Sequence, residues 1–292
     1  MSEQLRESEL ADRPPASSPV AQIKDRGGRL EEMRCGLSCA LGDSRAIAGR
    51  YLKHYRRQPQ LLIFSTVQPV MFVLLFRYVF GGAIDISQLP ADSYVNFLLP
   101  GILVQATTFG ATNTAVGLAE DLRAGVIDRF RSLPMSRVAV LAGRTLSDLV
   151  RNTFVVLLMT AVGYLVGFRF QGGPAAAILA LAVVVCFSYS LSWIYAFVGL
   201  ATKGAETAQT ASFVVTFPIV FASSVFVPVE GFPSWLQAFA TYSPITKAAD
   251  TVRALALGGL PVLEPLLWVA GWTAGILLVF MPLAILRFRR GE

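Results

Sequence analysis

Charge is dense in Glu120–Arg137, a segment that lies between two long apolar stretches. Two acidic residues open the segment and arginines follow. Its apolar residues recur at helical spacing: Val126, Ile127, Phe130 and Leu133. A charged amphipathic helix tied to two membrane segments is suited to docking a soluble protein, which would then move both segments at once. The alternative is a solvated loop with snorkelling arginines.

The apolar stretch before this segment carries polar side chains that lipid tolerates poorly: Gln105, Thr107, Thr108, Thr112, Asn113 and Thr114. In a later stretch, phenylalanines recur every four residues and form an aromatic face. We expect a substrate pathway lined by Gln105, Thr108, Phe109, Asn113, Phe213, Phe217 and Phe221. The alternative is helix packing for both faces, or a lipid-facing stripe for the phenylalanines.

Motifs for catalysis, metal binding and phosphate binding are not found. The cysteines and the single histidine lack metal-ligand spacing: Cys35, Cys39, His54 and Cys186. No Gly-x-x-x-x-Gly-Lys-Ser/Thr loop occurs, so energy from ATP would need another polypeptide. The apolar stretches lack the paired acids or histidines of a proton-coupled carrier, and Asp148 is expected to pair locally with Arg144 and Arg151.

Six apolar stretches carry these residues, and each is about the 20 residues that a helix needs to cross a bilayer. They lie near 60–80, 97–119, 141–167, 174–199, 208–228 and 262–287. Hydrophobic residues make up 54% of the 292 residues and charged residues 15%, well below the roughly 25% charge of soluble domains. The sequence therefore predicts an all-α polytopic membrane protein with six transmembrane helices.

Basic residues orient these helices. With a cytoplasmic N-terminus, 21 of the 25 basic residues lie on the cytoplasmic side, leaving Arg77, Arg169, Lys247 and Arg253 on or near the outer side. The net charge of +6 is therefore attributed to topology and anionic lipid, with no nucleic-acid partner. We expect a multi-pass protein of the cytoplasmic (inner) membrane with both termini in the cytoplasm.

The N-terminal region divides into two parts. Residues 1–40 are rich in proline, serine, glycine and charge, and are predicted to be a disordered cytoplasmic tail. Residues 41–292 are predicted to form one membrane domain. Ile47, Tyr51 and Tyr55 lie four apart among basic residues, which predicts a helix lying in the inner membrane interface with its tyrosines at headgroup depth. An ordinary basic flank is the alternative.

The segment before the last apolar stretch predicts a short helix. Ser243 is expected to cap it and Pro244 to occupy its first position. Lys247, Asp250 and Arg253 lie three apart, so they can pair on one helix face. A structural ionic cluster is favoured over an ion-binding site.

Two motifs match a known pattern. The first has the acidic pair Glu120-Asp121, then Gly125, a basic-aromatic stretch, Ser-Leu-Pro-Met-Ser-Arg at 132–137, and Gly143-Arg144. The second has Pro-x-Trp-Leu at 233–236, Ser-Pro-Ile-Thr at 243–246 and Asp-x-x-Arg at 250–253. Together they resemble the permease subunit of type-2 ABC exporters, most of all the daunorubicin-resistance branch. The resemblance covers about residues 45–290.

This resemblance implies six transmembrane helices, an interfacial helix before the first, a cytoplasmic coupling helix after the second and short re-entrant outer helices before the last. It implies coupling residues that dock on a separate ABC ATPase: Glu120, Asp121, Arg123, Gly125, Val126, Ile127, Asp128, Arg129, Phe130 and Arg131. ATP and Mg would bind to that partner, and no cofactor to this chain. A second permease copy, identical or a sister chain, would pair with this one.

The resulting hypothesis is a permease subunit of an ABC exporter for a hydrophobic or amphiphilic molecule, such as a drug, polyketide or lipid. The chain would not itself be an enzyme. Two alternatives remain open: a stand-alone secondary transporter or channel, and an ABC permease that exports a lipid-linked polysaccharide.

Overall fold

The computed structural model describes residues 42, 44, 47–53, 59–80, 93–126 and 137–290. Helices make up most of these residues, and no strand occurs among them, which confirms the all-α prediction. Residues 47–53 form an N-terminal helical segment. The later elements are α1 (Pro59–Leu75) with a π-helical turn at Phe76–Phe80, α2 (Tyr94–Arg123), α3 (Arg137–Val166), α4 (Gly173–Ala201), α5 (Ala205–Phe221), a 3₁₀ turn (Val229–Gly231), α6 (Ser234–Tyr242), α7 (Pro244–Leu257) and α8 (Leu263–Arg290).

Four helices in the described part of the chain are long and apolar enough to cross a membrane: α2, α3, α4 and α8. Helices α1 and α5 have 17 residues each. The fifth apolar stretch was predicted to extend to 228, but α5 ends at Phe221. There the Ser223 hydroxyl donates to Val220 O at 2.5 Å, and Ser224 N donates to Thr246 Oγ1 at 3.1 Å. These hydrogen bonds offer the backbone an alternative to another helical turn.

Helix α2 lies at the centre and contacts α1, α3, α4, α5 and α7. Two glycines allow close backbone approach. A Cβ at Gly101 would lie 2.3 Å from Val225 O, and a Cβ at Gly199 of α4 would lie 2.6 Å from Ala115 O. Any larger side chain at either position would separate the central helix from its neighbours.

The N-terminal helical segment packs against protein. Ile47 and Tyr51 are buried with Leu118, Trp193 and Phe288, which lie near the ends of α2, α4 and α8. The ring of Tyr51 is therefore covered by helix ends, and the position of this segment in the inner membrane interface stays a prediction. Tyr55, the other tyrosine of that prediction, lies outside the described residues, as do residues 1–41.

Helix α7 lies at the opposite end of the bundle, against α2, α4 and α8. It begins at Pro244 as predicted. Ser243 occupies the N-cap position as predicted, but its hydroxyl forms no capping hydrogen bond. The Ser243 main-chain carbonyl instead accepts from Lys247 N at 3.0 Å, so helical geometry and the proline are enough to start the helix.

Candidate substrate cavity and ionic network

A cavity of about 410 Å³ lies between α1, α2 and α5. Such a volume is within the usual range of small-molecule pockets. Its polar lining residues are Ser65, Gln68, Gln105, Thr112, Asn113 and Gln209. Its apolar lining includes Pro69, Phe72, Phe109 and Phe213. The cavity thus combines aromatic rings with neutral hydrogen-bonding groups.

Four of the seven predicted pathway residues line this one cavity: Gln105, Phe109, Asn113 and Phe213. Their convergence requires the polar face of α2 to lie opposite the start of the aromatic face of α5. Thr108 is placed differently. It is buried, and its hydroxyl donates to Val104 O at 2.7 Å within α2.

The aromatic face of α5 continues beyond the cavity as a row of rings. Ring centroids are 6.2 Å apart for Phe109–Phe213, 5.3 Å for Phe213–Phe217 and 4.3 Å for Phe217–Phe221. Phe226 then lies 5.1 Å from Phe221 and 4.7 Å from Phe76. Phe213, Phe217 and Phe221 are 50%, 42% and 36% exposed, so the row offers a continuous aromatic surface.

The polar residues of α2 divide by function. Thr107, like Thr108, donates to carbonyls of its own helix, which is a common way of satisfying a hydroxyl inside a membrane helix. The Thr114 hydroxyl instead donates to the Asp148 carboxylate of α3. Gln105 and Asn113 face the cavity. The sequence left helix packing and cavity lining as alternatives for the whole polar face of α2. In the structure, some residues of this face pack and others line the cavity.

Asp148 of α3 is fully buried among hydroxyl and basic groups. The Thr114 hydroxyl donates to Asp148 Oδ2 at 2.7 Å. Arg144 Nε lies 3.5 Å from the same oxygen, and Arg151 Nη2 lies 4.0 Å from Asp148 Oδ1. The predicted local pairing is confirmed, and Thr114 connects it to α2.

Arg144 also contacts the end of α2, where the predicted coupling residues begin. Its Nη1 lies 3.4 Å from Asp121 Oδ2, and the Tyr51 hydroxyl donates to that oxygen at 2.5 Å. Burial raises the pKa of Tyr51 above its usual value, and the Asp121 carboxylate raises it further. The phenol therefore remains a donor at neutral pH. The name Arg144 network denotes these six residues: Tyr51, Thr114, Asp121, Arg144, Asp148 and Arg151.

Gly117 leaves the space that Arg144 occupies. A Cβ at this position would lie 1.8 Å from Arg144 Nη2 and 2.5 Å from its Cζ. The guanidinium also lies 4.7 Å from the centre of the Tyr51 ring, within the range of a cation–π contact. The absence of a side chain on α2 thus allows one arginine to join α2, α3 and the N-terminal helical segment.

The Arg144 network is hydrogen-bonded to the cavity wall. Arg144 Nη2 donates to Asn113 O at 3.4 Å, and Arg151 Nη2 donates to Gly110 O. Asn113 and Gly110 both line the cavity. Displacement of either arginine would therefore act directly on the part of α2 that forms the wall.

Of the predicted coupling residues, Glu120, Asp121 and Arg123 form the last turn of α2. Glu120 and Arg123 are exposed, whereas Asp121 is half-buried in the Arg144 network. Gly125 has φ +66°, a left-handed conformation that suits glycine and ends the helix. Val126 follows it. Ile127, Asp128, Arg129, Phe130 and Arg131 lie outside the described residues.

The opposite end of the bundle carries a second buried arginine. Arg253 Nη1 lies 2.7 Å from Asp250 Oδ1, which confirms the predicted pairing of these two residues. Arg253 also donates to Phe97 O at 3.1 Å and to Ser224 O at 2.9 Å. Burial lowers the pKa of Arg253 to about 10, while Asp250 opposes the shift. The guanidinium therefore stays charged at neutral pH.

Lys247, the third member of that predicted set, pairs elsewhere. Its Nζ lies 3.8 Å from Glu264 Oε1 of α8 and 5.9 Å from the centre of the Trp268 ring. Ser224 completes the arginine site, because its hydroxyl donates to Asp250 Oδ1 at 2.8 Å. The name Arg253 cluster denotes Phe97, Ser224, Asp250 and Arg253.

Sequence reasoning missed Gln68, Gln209, Tyr51 and Phe226 as residues of these sites. Gln68 and Gln209 carried a usable signal, since a polar residue within an apolar stretch marks a protein-facing or water-facing position. No local pattern identifies the other two, whose contacts lie far away in sequence. Among the residues that the structure describes, no three acidic, histidine or cysteine side chains form a group that could hold a metal ion.

Comparison with known proteins identifies the family. Residues 44–257 match the family model described as ABC-2 type transporter. The "Daunorubicin resistance ABC transporter permease protein DrrB1" of Streptomyces coeruleorubidus is 37% identical over 246 residues, which cover 82% of this chain and 83% of that protein. The "Probable doxorubicin resistance ABC transporter permease protein DrrC" of Mycobacterium tuberculosis is 29% identical over 237 residues, covering 81% and 84%. The "Putative transport permease ycf38" of Cyanophora paradoxa is 26% identical over 206 residues, covering 68% and 69%. The chain therefore belongs to the ABC-2 type transporter family.

Proposed function

We propose that this chain is the membrane permease subunit of an ABC exporter and that it moves an amphiphilic, aromatic molecule across the membrane. Family membership and the names of the relatives support the exporter role. Two relatives are named for resistance to daunorubicin and doxorubicin, which are amphiphilic aromatic drugs. ATP and Mg bind to a separate ATPase subunit, and this chain contributes the pathway.

One observation carries the proposal. Residues of α2 and α5 that are more than 100 positions apart, Gln105 and Phe213, line the same cavity. The exposed rings of α5 extend from that cavity towards the end of the bundle that carries α7. An aromatic row of this kind lets a flat apolar molecule move between equivalent contacts, because every ring offers a similar π-face.

We infer that the shorter helices α1 and α5 cross the cytoplasmic (inner) membrane together with α2, α3, α4 and α8, and that both termini lie in the cytoplasm. The distribution of basic residues supports this orientation. The ends of α2 and α8 lie with the N-terminal helical segment, as alternating crossings require. Helices α6 and α7 would then dip into the outer leaflet. There α7 is buried against protein, whereas the exposed Trp235 and Phe239 of α6 would contact lipid.

Residues Glu120–Arg131 are proposed to dock on the ATPase. Movement there would act on Asp121 and hence on Arg144, which is hydrogen-bonded to the cavity wall. A second permease copy, identical or a sister chain, would cover the open side of α1 and α5, where Met71, Val214 and Val215 are exposed. Substrate would pass between the two copies.

The test is to express the chain with the ATPase encoded beside its gene and to purify the pair by a tag on this chain. ATP hydrolysis stimulated by daunorubicin, and daunorubicin accumulation in inverted vesicles, are the readouts. Charge reversal at Asp128 and Arg129 should reduce capture of the ATPase. Phe213→Ala should preserve capture and reduce accumulation.

A matched control is Tyr78→Ala, since Tyr78 is an exposed aromatic residue in the π-helical turn and does not line the cavity. A permease that is stable but captures no ATPase would contradict the exporter role and favour a stand-alone transporter. Normal accumulation in Phe213→Ala would contradict the assignment of this cavity.

A further inference from the structure

The residues that line the cavity are uncharged. Among its described lining residues none is ionisable, and the polar ones carry amides or hydroxyls. A charged group placed there would lose hydration without gaining an opposite charge. The part of a ligand that enters the cavity is therefore expected to be uncharged and to use hydrogen bonds together with apolar contact.

Most polar groups of α2 near the cavity already have partners. The Thr112 hydroxyl donates to Phe109 O at 2.7 Å, and Asn113 Nδ2 donates to Gly110 O at 3.2 Å. Gln105 differs. It is only 2% exposed, and its Oε1 is buried with no hydrogen-bond partner among the residues that the structure describes.

A buried amide oxygen without a partner has lost its hydration without compensation, which is costly, and such groups are uncommon in native proteins. Leucine would fit a membrane helix at this position without that cost. The glutamine lies in the cavity wall together with Phe109 and Phe213. Because the Gln105 side chain lines the cavity, rotation of its amide would bring this oxygen to a bound ligand, which can then supply the missing donor.

We propose that Gln105 is the specificity-determining residue of the cavity, and that its amide oxygen accepts a hydrogen bond from an uncharged hydroxyl or N–H group on an aromatic ligand. This inference rests on the proposed function of the cavity. The rings of Phe72, Phe109 and Phe213 would hold the apolar body of the ligand, and Gln105 would select for the donor. A site that hydrogen-bonds its ligand discriminates strongly against an analogue without the donor, because the protein group is then left unpaired.

Two probes test the role of the donor. Daunorubicin and anthracene both carry fused aromatic rings. Daunorubicin also carries hydroxyl donors on its ring system, and its charged amino sugar can stay outside the cavity, whereas anthracene is uncharged and has no hydrogen-bond donor or acceptor. Binding of each would be measured on the full-length chain in lipid nanodiscs, by drug fluorescence and by equilibrium dialysis respectively.

Two variants separate the possible roles. Gln105→Leu should raise the Kd for daunorubicin about tenfold, as expected for loss of one hydrogen bond, and leave that for anthracene unchanged. Phe213→Ala should weaken binding of both probes. Elution of each variant as the wild-type species in size-exclusion chromatography controls for folding.

The results for the two probes test the role of Gln105 and the cavity assignment separately. Unchanged daunorubicin binding in Gln105→Leu, with weakened binding in Phe213→Ala, would overturn the role of Gln105 and leave the cavity assignment standing. Equal weakening of both probes in Gln105→Leu would also overturn it, since loss of cavity shape would explain that result. If wild-type protein binds neither probe, or if no variant alters binding, both the inference and the proposed cavity fail.

Discussion

Arg144 and Arg253 are largely buried arginines at opposite ends of the bundle, and they are held in different ways. Arg253 donates to two main-chain carbonyls, Phe97 O and Ser224 O, at 3.1 and 2.9 Å, and pairs with Asp250 at 2.7 Å. Arg144 pairs with two carboxylates, Asp121 and Asp148, at 3.4 and 3.5 Å, and makes one main-chain contact, to Asn113 O at 3.4 Å. Main-chain carbonyls cannot turn away without moving the backbone, whereas carboxylate side chains can change rotamer.

We therefore expect the Arg253 end of the bundle to be fixed and the Arg144 end to be adjustable. The Arg253 cluster joins the start of α2 to the segment after α5 and to α7, so these elements should move together. The Arg144 network joins α2, α3 and the N-terminal helical segment through side chains that share one guanidinium. Small movements near the predicted coupling residues can redistribute these longer contacts without breaking the fold.

The largest effect is expected from Asp148→Ala. This change leaves the buried Arg144 and Arg151 without their shared carboxylate and removes the acceptor of Thr114. Breaking a buried ion pair by removing one partner typically costs about 3–5 kcal/mol. Thermal unfolding of the purified protein, followed by size-exclusion chromatography, should show a markedly lower midpoint. Asp148→Asn keeps a hydrogen-bond acceptor and should lose less. An unchanged midpoint in Asp148→Ala would show that the network adds nothing to stability.

Arg253→Lys should come next. An ammonium group cannot reproduce the planar fork that contacts two carbonyls and Asp250 at once. We expect a loss of about 1–3 kcal/mol, because at least one buried carbonyl is left without its donor. The same unfolding assay measures it, with Lys247→Arg as a control at a neighbouring position of α7. A variant as stable as the wild type would contradict the view that Arg253 fixes this end of the bundle.

Gly117→Ala tests whether the Arg144 network is adjustable. The added methyl group would displace Arg144 Nη2, which lies 1.8 Å from the ideal Cβ position. Arg144 can move aside, so the cost of about 1–3 kcal/mol would come from its weakened contacts with Asp121 and Asp148. Drug-stimulated ATP hydrolysis of the permease–ATPase pair should fall as well, because the contact with Asn113 O is disturbed.

Gly271→Ala on α8 is the matched control for this change, since nothing lies within 4 Å of its ideal Cβ position. It should be neutral or stabilise the protein by up to about 1 kcal/mol, through helix propensity. Equal behaviour of the two alanine variants in both assays would contradict the special role of Gly117.

The smallest effect is expected from Tyr51→Phe, which removes one hydrogen bond to Asp121 and keeps the ring beside Arg144. A typical hydrogen bond contributes about 1 kcal/mol. Stability should therefore change little, while the ratio of drug-stimulated to basal ATP hydrolysis should fall. Tyr78→Phe, at a residue that is 73% exposed, should alter neither quantity. A wild-type ratio of drug-stimulated to basal hydrolysis in Tyr51→Phe would show that the bond from the N-terminal helical segment is not needed. The adjustable contacts would then be those between α2 and α3.

Features that depend on neighbouring residues were predicted from the sequence. Pro244 marks the start of α7 because its fixed φ suits the first position of a helix. The Arg144–Asp148 and Asp250–Arg253 pairs follow from spacings of four and three along a helix. The apolar stretches predict membrane helices, although the exact end of α5 depends on hydrogen bonds formed after Phe221.

Features that depend on helix orientation required the tertiary structure. Thr108 and Gln105 both belong to the polar face of α2, yet one bonds to its own helix and the other lines the cavity. Lys247 pairs with Glu264 of α8 instead of with its helical neighbour Asp250. Helical periodicity assigns residues to a face, but it does not state which helix lies opposite that face.

The sequence by itself determined the class of the protein, its long helices and its local ion pairs, because span length and helical spacing are properties of short segments. Only the tertiary structure decided that Gln105 and Phe213 line one cavity and that Tyr51, Asp121 and Arg144 meet. These contacts depend on how each helix is rotated and how closely it approaches its neighbours. Rotation and approach are set by packing along the whole bundle, including the space left by Gly101, Gly117 and Gly199.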